Sequence, residues 1–155
     1  MMSVIKTSQL YGLNTPHWLC KFQMIYQNLS KDNLLSLKDI YHDDIVFQDP
    51  LHKVEGLTDF IAYFENLYTH VTSCTFEITH IMNTSNEAAV YWEMRYQHPK
   101  LNSGKMIVVT GHSHIKSEDG KVIYQRDFLD VGAMIYEHVP LLGKVIRYLK
   151  QRMNK

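Results

Sequence analysis

The chain has 155 residues, of which 45% are apolar and 12% aromatic, and its sixteen basic residues balance sixteen acidic ones. This composition is typical of one globular domain over residues 1–155, and the neutral balance argues against a nucleic-acid-binding protein. The apolar runs are far shorter than the roughly 20 residues of a membrane span, and the first residues do not have the pattern of a secretory signal. We therefore expect a cytoplasmic protein without a transmembrane segment.

The first predicted elements are helices. Residues 1–15 show no periodicity and are predicted to form a loosely ordered N-terminal segment. Apolar residues then recur at helical spacing over 18–29, 33–41 and 57–71, which predicts three helices. Between the second and third helices, the run IVFQDP predicts a short strand that ends at Asp49, because Pro50 cannot donate to a strand ladder.

The rest of the chain changes to strand patterns. Four runs, at about 74–81, 87–98, 105–116 and 121–131, are separated by turn residues, and a C-terminal helix is predicted over 134–152. Helices followed by a long antiparallel sheet predict an α+β fold in which a curved, mostly antiparallel sheet wraps around the three N-terminal helices.

Alternation along the strands predicts which side chains face the interior. Trp92, Met94 and Tyr96 belong to the apolar set of their strand, and Gln125 and Asp127 belong to the more apolar set of the last strand. The strand between them is ambiguous, because its two alternating sets are about equally apolar. One set contains the pair His112 and His114, and the other contains Ile107, Val109, Gly111, Ser113 and Ile115.

Three segments resemble a known superfamily: NLSKDNLLSLKDIYHDDIVFQDPLHKVEG, NEAAVYWEMRY and DGKVIYQRDFLD. They are similar to the NTF2-like superfamily, particularly to SnoaL-like polyketide cyclases and ketosteroid isomerases, over residues 18–132. The resemblance implies a cone-shaped α+β fold, a pocket for a small, mostly apolar molecule, and a homodimer.

The resemblance also implies roles for individual residues. Asp49 falls on the general-base aspartate of ketosteroid isomerases. His112, eight residues before Gly120, falls on their oxyanion-hole aspartic acid, which implies that His112 faces inward. Asp127 lies near the last-strand aspartate that SnoaL-like cyclases pair with a histidine. The isomerase tyrosine of the first helix falls one residue before Tyr26, which argues against steroid isomerisation.

These residues predict acid–base chemistry on a small hydrophobic molecule. A carboxylate in an apolar pocket has a raised pKa and can exchange a proton near neutral pH. We expect Asp49, His112 and Asp127 to be catalytic, and a second group to contact the substrate: Tyr26, Trp92, Met94, Tyr96, His114 and Gln125. The reaction is proton abstraction beside a carbonyl or activation of water.

Less specific interpretations stay open at this point. Asp49 before Pro50 is also a common turn residue, Asp127 is also suited to a structural ion pair, and the module is alternatively a non-catalytic ligand-binding or protein-docking domain. We expect no cofactor and no metal, although His112 and His114 with His98 form a minor metal-site alternative. The basic C-terminal helix is interpreted as a solvated face, an acidic-partner contact or a membrane-surface patch.

Overall fold

The chain folds into an open six-stranded sheet with helices on one face. A computed structural model describes residues 15–153, so the predicted loose segment lies outside the described residues except for Thr15. The elements are α1 (His17–Gln27), a 3₁₀ turn (Leu34–Asp39), β1 (Tyr41–Gln48), β2 (Lys53–Glu55), α2 (Leu57–His70), β3 (Ser73–Asn83), β4 (Glu87–Gln97), a 3₁₀ turn (Asn102–Gly104), β5 (Ile107–Glu118), β6 (Lys121–Leu129), α3 (Val131–Met134), a 3₁₀ turn (Tyr136–His138) and α4 (Leu142–Arg152).

The strands lie in the order β2-β1-β6-β5-β4-β3. Among the described residues, β1 pairs with β6 in parallel and the other neighbouring strands pair antiparallel. The mixed α+β class with a mostly antiparallel sheet is therefore confirmed. The parallel pair brings the ends of β1 and β6 together, with Gln48 opposite Arg126.

The core lies between the helices and the inner face of the sheet. The α1 side chains that recur at helical spacing are buried there, and the indole nitrogen of Trp18 donates to the carbonyl oxygen of Ser85, 2.9 Å away. On β4 the predicted inward set is buried or half-buried, from Ala88 to Tyr96. The apolar face of the helix and the inward face of the strand thus pack in one core, as the helical and alternating sequence patterns predict.

One irregularity changes the faces of β6. The ladder between β5 and β6 shifts between Lys116 and Ser117, which leaves Ile123 as an extra residue on β6. Because of this bulge, Val122 and Gln125 are both buried although they stand three positions apart. Beyond the bulge, the predicted inward set continues with Asp127 and Leu129.

The first half of the chain differs from the prediction in two places. The predicted helix over 33–41 is a 3₁₀ turn that ends at Asp39, and Tyr41 already belongs to β1. The segment after Pro50 contains the short strand β2, which pairs with the end of β1. A strand of three residues is too short to show an alternating pattern, so the sequence does not indicate β2.

The prediction of one C-terminal helix over 134–152 is wrong in its first part. The chain forms α3 and a 3₁₀ turn, passes Pro140, and enters α4 after Leu141, which has a φ of +68°. Proline has no amide hydrogen for a helix interior, and its ring restricts the preceding residue. Within residues 15–153, none of the helices has the length and apolar character needed to cross a bilayer.

Candidate functional site

A cavity of about 280 Å³ lies between α2 and the inner face of the sheet. Its wall is mostly apolar, and contributing side chains include Phe64, Leu67, Phe76, Met94, Leu129 and Ile135. The volume is near the lower end of the range for small-molecule sites. Two carboxyl groups, Asp49 and Asp127, also line it. The cavity thus combines an apolar surface with two groups that can exchange protons.

Asp127 is held at the cavity by one of its two carboxyl oxygens. Its Oδ1 accepts hydrogen bonds from the Ser113 hydroxyl at 2.6 Å and from the Gln125 amide at 2.9 Å. Within residues 15–153, no side chain or backbone amide donates to Oδ2. The carboxyl group is therefore fixed in orientation while one oxygen remains available to a bound molecule.

Burial is the main cause of an unusual pKa at Asp127. Loss of solvation disfavours the carboxylate, and the charge of Asp49 adds to this effect, so that the pKa is raised from 3.8 to about 6. The hydrogen bonds from Ser113 and Gln125 stabilise the carboxylate and oppose this shift. The group therefore changes protonation within the range in which a catalytic acid or base operates.

A chain of buried hydrogen bonds fixes the partners of Asp127. The Trp92 indole donates to the Ser113 hydroxyl at 2.9 Å. The Tyr41 hydroxyl donates to the Gln125 carbonyl oxygen, so the Tyr26 hydroxyl, 2.6 Å away, must donate to Tyr41. These side chains come from α1, β1, β4, β5 and β6. The orientation of the Asp127 carboxyl group therefore depends on five elements of the fold.

Asp49 also lines the cavity, but both of its oxygens are engaged. Oδ1 accepts from the backbone amides of Leu51 at 2.7 Å and His52 at 2.6 Å, which forms a turn around Pro50. Oδ2 accepts from the Tyr63 hydroxyl, and burial together with this bond raises the pKa of Tyr63 well above its ordinary value. Asp49 is therefore a turn residue through its Oδ1, whereas its Oδ2 binds Tyr63.

A second, inner cavity of about 30 Å³ adjoins the main one. Asp127 and Trp92 line both cavities, while Tyr26, Ser113 and Gln125 line the inner one. This volume is sufficient for one water molecule beside polar partners. Asp127 therefore stands between the main chamber and a small recess in which Ser113 and Gln125 supply further polar groups.

The expectation that His112 faces inward is wrong. His112 and His114 lie on the outer face of the sheet, where His112 stacks on Tyr91 and Phe128 at ring-centroid distances of 5.3 and 4.8 Å. The imidazole of His114 contacts the Glu87 carboxylate. Neither histidine reaches Asp127, so the predicted acid–base pair of His112 and Asp127 does not form, and His114 does not line the cavity.

On β5 the set that contains Gly111, Ser113 and Ile115 faces inward, because the Trp92 side chain occupies the space beside Gly111. Gly111 stands opposite Trp92 in the ladder, and a Cβ at Gly111 would lie 2.4 Å from the indole ring. The adjacent Ser113 and Ile115 are buried on the same face. The same assignment of faces rules out the metal site of His98, His112 and His114. His98 lines the cavity, whereas the two β5 histidines lie on the opposite face of the sheet.

The other predicted contact residues line one of the two cavities. Trp92, Met94 and Tyr96 line the main cavity, and Tyr26 and Gln125 line the inner one. The sequence interpretation missed Ser113 and Tyr63, which donate to the two carboxyl groups, and Tyr41, which donates to Gln125. Gly111 indicates the inward face of β5 only once the strand register that places it opposite Trp92 is known.

The raised pKa of Asp127 predicts a pH-dependent stability. The folded state holds its proton up to about pH 6, whereas the unfolded chain releases it near pH 3.8. Stability from this group is therefore complete below pH 3.8, falls as pH rises through about 6, and changes by at most about 3 kcal/mol.

Urea unfolding of the wild type and Asp127→Asn between these pH values measures this effect. We expect the free energy of unfolding of the wild type to fall relative to that of the variant as pH rises. A constant difference between the two proteins across the range would contradict the assignment.

One comparison with known proteins identifies the family of this chain. The sequence model of a family described as "SnoaL-like domain" matches residues 22–125. No curated protein matches the chain.

Several solved structures share the fold. An NTF2-like protein of unknown function from Burkholderia pseudomallei has 13% identity and a TM-score of 0.69, covering 77% of this chain and 95% of that one. A SnoaL-like polyketide cyclase candidate from Shewanella putrefaciens has 19% identity and a TM-score of 0.65, with coverage of 77% and 94%. A LEH-like epoxide hydrolase from M. tuberculosis has 15% identity and a TM-score of 0.61, with coverage of 76% and 83%.

Proposed function

The chain belongs to the SnoaL-like domain family, and on that premise we propose that it is an enzyme that transfers a proton on a small, mostly apolar molecule. The observation that carries the proposal is the half-buried Asp127, which has one oxygen fixed and the other available at an apolar cavity. Asp127 is the proton acceptor and donor, and Trp92, Met94 and Tyr96 shape the substrate site.

The proposed step is proton abstraction from a carbon beside a carbonyl group. The C–H proton moves to Oδ2 of Asp127, and the bonding electron pair moves toward the carbonyl oxygen to form an enolate. The carboxyl group then exchanges its hydrogen with solvent. Return of a solvent-derived hydrogen to the same carbon completes an exchange, and return of a proton to a conjugated carbon completes an isomerisation. A carboxylate with a pKa of about 6 is suited to both directions, because it is deprotonated at neutral pH and still basic enough to accept the proton.

Asp49 has a secondary role in this proposal. Its charge raises the pKa of Asp127, and its bond to Tyr63 leaves a hydroxyl group at the cavity wall. Because the turn amides and Tyr63 already occupy its oxygens, Asp49 is a weaker candidate for the proton acceptor than Asp127.

Activation of water is the second candidate reaction, and the inner cavity favours it. A water molecule placed there is beside Asp127, Ser113 and Gln125, and the carboxylate can remove its proton as it attacks an electrophile such as an epoxide. The alternative outside catalysis is a ligand-binding module, which the predominantly apolar wall also suits.

Proton exchange in D₂O tests the proposal without a known substrate. We expect the purified protein to catalyse deuterium incorporation beside the carbonyl of at least one member of a panel of small cyclic ketones, measured by NMR. A parallel panel of small epoxides, analysed for diol formation, tests water activation. Quenching of tryptophan fluorescence reports binding, because Trp92 lines the cavity.

Binding without deuterium exchange or hydrolysis on either panel would contradict the enzyme and favour the binding module. Absence of both binding and turnover would contradict the site itself. A protein denatured in urea is the control for uncatalysed exchange.

A homodimer and a cytoplasmic location stay part of this proposal. The outer face of the sheet supports dimer formation, since rings from three neighbouring strands, Tyr91, His112 and Phe128, stack across it. Such an aromatic surface is suited to contact with a second sheet.

A further inference from the structure

The C-terminal helix α4 leaves large apolar side chains in solvent. Leu149 is 54% exposed and Val145 is 53% exposed. With Leu142 and Tyr148 they form the apolar stripe, which at 100° per residue covers about a third of the helix circumference. Among residues 15–153, α4 packs mainly against the 3₁₀ turn at Tyr136–His138. The stripe is therefore displayed away from the body of the protein.

Contacts to Glu137 hold α4 in this orientation. The Arg147 guanidinium donates to the Glu137 carbonyl oxygen at 2.9 Å, and the Lys150 ammonium contacts the Glu137 carboxylate. Gly143 permits the close approach, because a Cβ there would lie 2.2 Å from the same carbonyl oxygen. These contacts use the polar side of the helix and leave the stripe uncovered by the described residues.

The charges of the segment 139–155 itself are of one sign, and of its basic side chains Lys150 is paired with Glu137 and Asp130. Residues 139–155 contain five basic side chains and no acidic one. Lys144, Arg147 and Lys150 project from the sides of α4 away from the stripe, and Arg152 lies at the end of the stripe against Tyr148. Lys144 and Arg152 form no ion pair within residues 15–153. The helix thus combines an apolar face with a basic flank.

We propose that α4 docks on an anionic membrane surface, with the apolar stripe among the acyl chains and the basic flank against lipid headgroups. Low overall hydrophobicity, a segregated apolar face and a Lys- and Arg-rich polar face are the features of helices that lie in the membrane interface. Pairing with the α4 of a second copy is disfavoured, since both helices carry the same uncompensated charge. The stripe does not line either cavity, so this inference is independent of the proposed catalysis.

Sedimentation with lipid vesicles tests the proposal. We expect the full chain to sediment with phosphatidylcholine vesicles that contain about 30% phosphatidylserine, and to remain in solution with phosphatidylcholine alone. Raising NaCl to about 0.5 M shortens the screening length to a few ångströms and should weaken binding. Lys144→Gln should lower the partition coefficient about fivefold.

A matched pair of variants locates the surface. Leu149→Glu places a charge in the stripe and should lower the partition coefficient at least about tenfold. Met24→Glu makes the same kind of change at a 58% exposed position of another helix, α1, and should bind like the wild type. Circular dichroism melting curves for both variants check that the fold is retained.

Three results would overturn the proposal. The first is a wild-type protein that stays in solution at every phosphatidylserine content. The second is equal sedimentation of Leu149→Glu and Met24→Glu. The third is a wild-type dimer that Leu149→Glu dissociates, seen by light scattering, without vesicle binding, which would assign the stripe to a second copy.

Discussion

Asp127→Asn should lower the rate of the proposed proton transfer about 10²–10⁴-fold, the usual contribution of a positioned general base. The amide cannot accept the substrate proton, while its oxygen can still accept the bonds that Ser113 and Gln125 donate to Oδ1. We therefore expect ligand binding, measured by tryptophan quenching, to change little. A loss of rate at constant affinity separates a chemical role of Asp127 from a role in shaping the cavity.

Two other aspartates are controls for this prediction. Asp49→Asn should have a smaller effect on the rate, because Asp49 acts on Asp127 through its charge and through Tyr63. Asp44→Asn removes a carboxylate on β1 whose side chain is 87% exposed, and it should leave the rate unchanged. If Asp127→Asn retained most of the wild-type rate, Asp127 would not be the base.

The dependence of the proton-transfer rate on pH should also identify Asp127 as the base. The active form is the carboxylate, so the rate should rise as pH increases through about 6 and then level off. Stability from the same group falls over this interval, because charging a buried carboxyl group costs free energy. Activity and stability are therefore expected to change in opposite directions with pH.

Gly111→Ala should destabilise the fold by about 2–4 kcal/mol, although it adds one methyl group. The new Cβ would lie 2.4 Å from the Trp92 ring and 2.7 Å from the carbonyl oxygen of Phe128. The indole must move, and its hydrogen bond to Ser113 is then lost. Because Ser113 holds Asp127, the substitution should disturb the site as well as the core.

Urea unfolding with a double-mutant cycle measures this prediction. In a Trp92→Leu background the contact with the indole is removed and only the one with the Phe128 carbonyl oxygen remains, so Gly111→Ala should cost clearly less than in the wild type. Thr110→Ala, next along β5 but exposed on the outer face, should stay within about 0.5 kcal/mol of the wild type. An equal cost of Gly111→Ala in both backgrounds would rule out the Trp92 contact as its cause.

The parts of the fold that sequence patterns predict are those with a strong contrast between two faces. On β4 the inward residues Trp92 and Met94 alternate with Glu93 and Arg95, so the alternation alone gives the correct face. The helix period of α2 is equally clear around Phe60 and Phe64. Local chemistry and burial agree in these elements, and the prediction is correct there.

The β5 strand shows why the candidate site was only partly predictable. Both of its alternating sets are apolar enough to be buried, and a position count from the Gly120 turn chose the wrong one. A difference of one residue in such a count reverses every side chain of a strand. The deciding contact, Trp92 over Gly111, joins two strands and is not visible in the pattern of either strand alone.

The hydrogen bonds around Asp127 were unpredictable for a related reason. Tyr41 and Gln125 are roughly 80 residues apart in the chain, and nothing near either one indicates the other. The broken C-terminal helix is different, since Pro140 was a visible signal that the apolar periodicity overrode.

The parallel pairing of β1 with β6 has a consequence for folding kinetics. Its partner residues Gln48 and Arg126 are separated by roughly 80 positions, so the contact requires closure of a long loop, which is entropically costly and slow. The hairpins β3–β4 and β5–β6 join neighbouring segments and can form without that closure. Asp49 follows β1 and Asp127 belongs to β6. The two carboxyl groups therefore come to the same cavity only when β1 has paired with β6. Refolding monitored at the hairpins should therefore run ahead of the recovery of ligand binding.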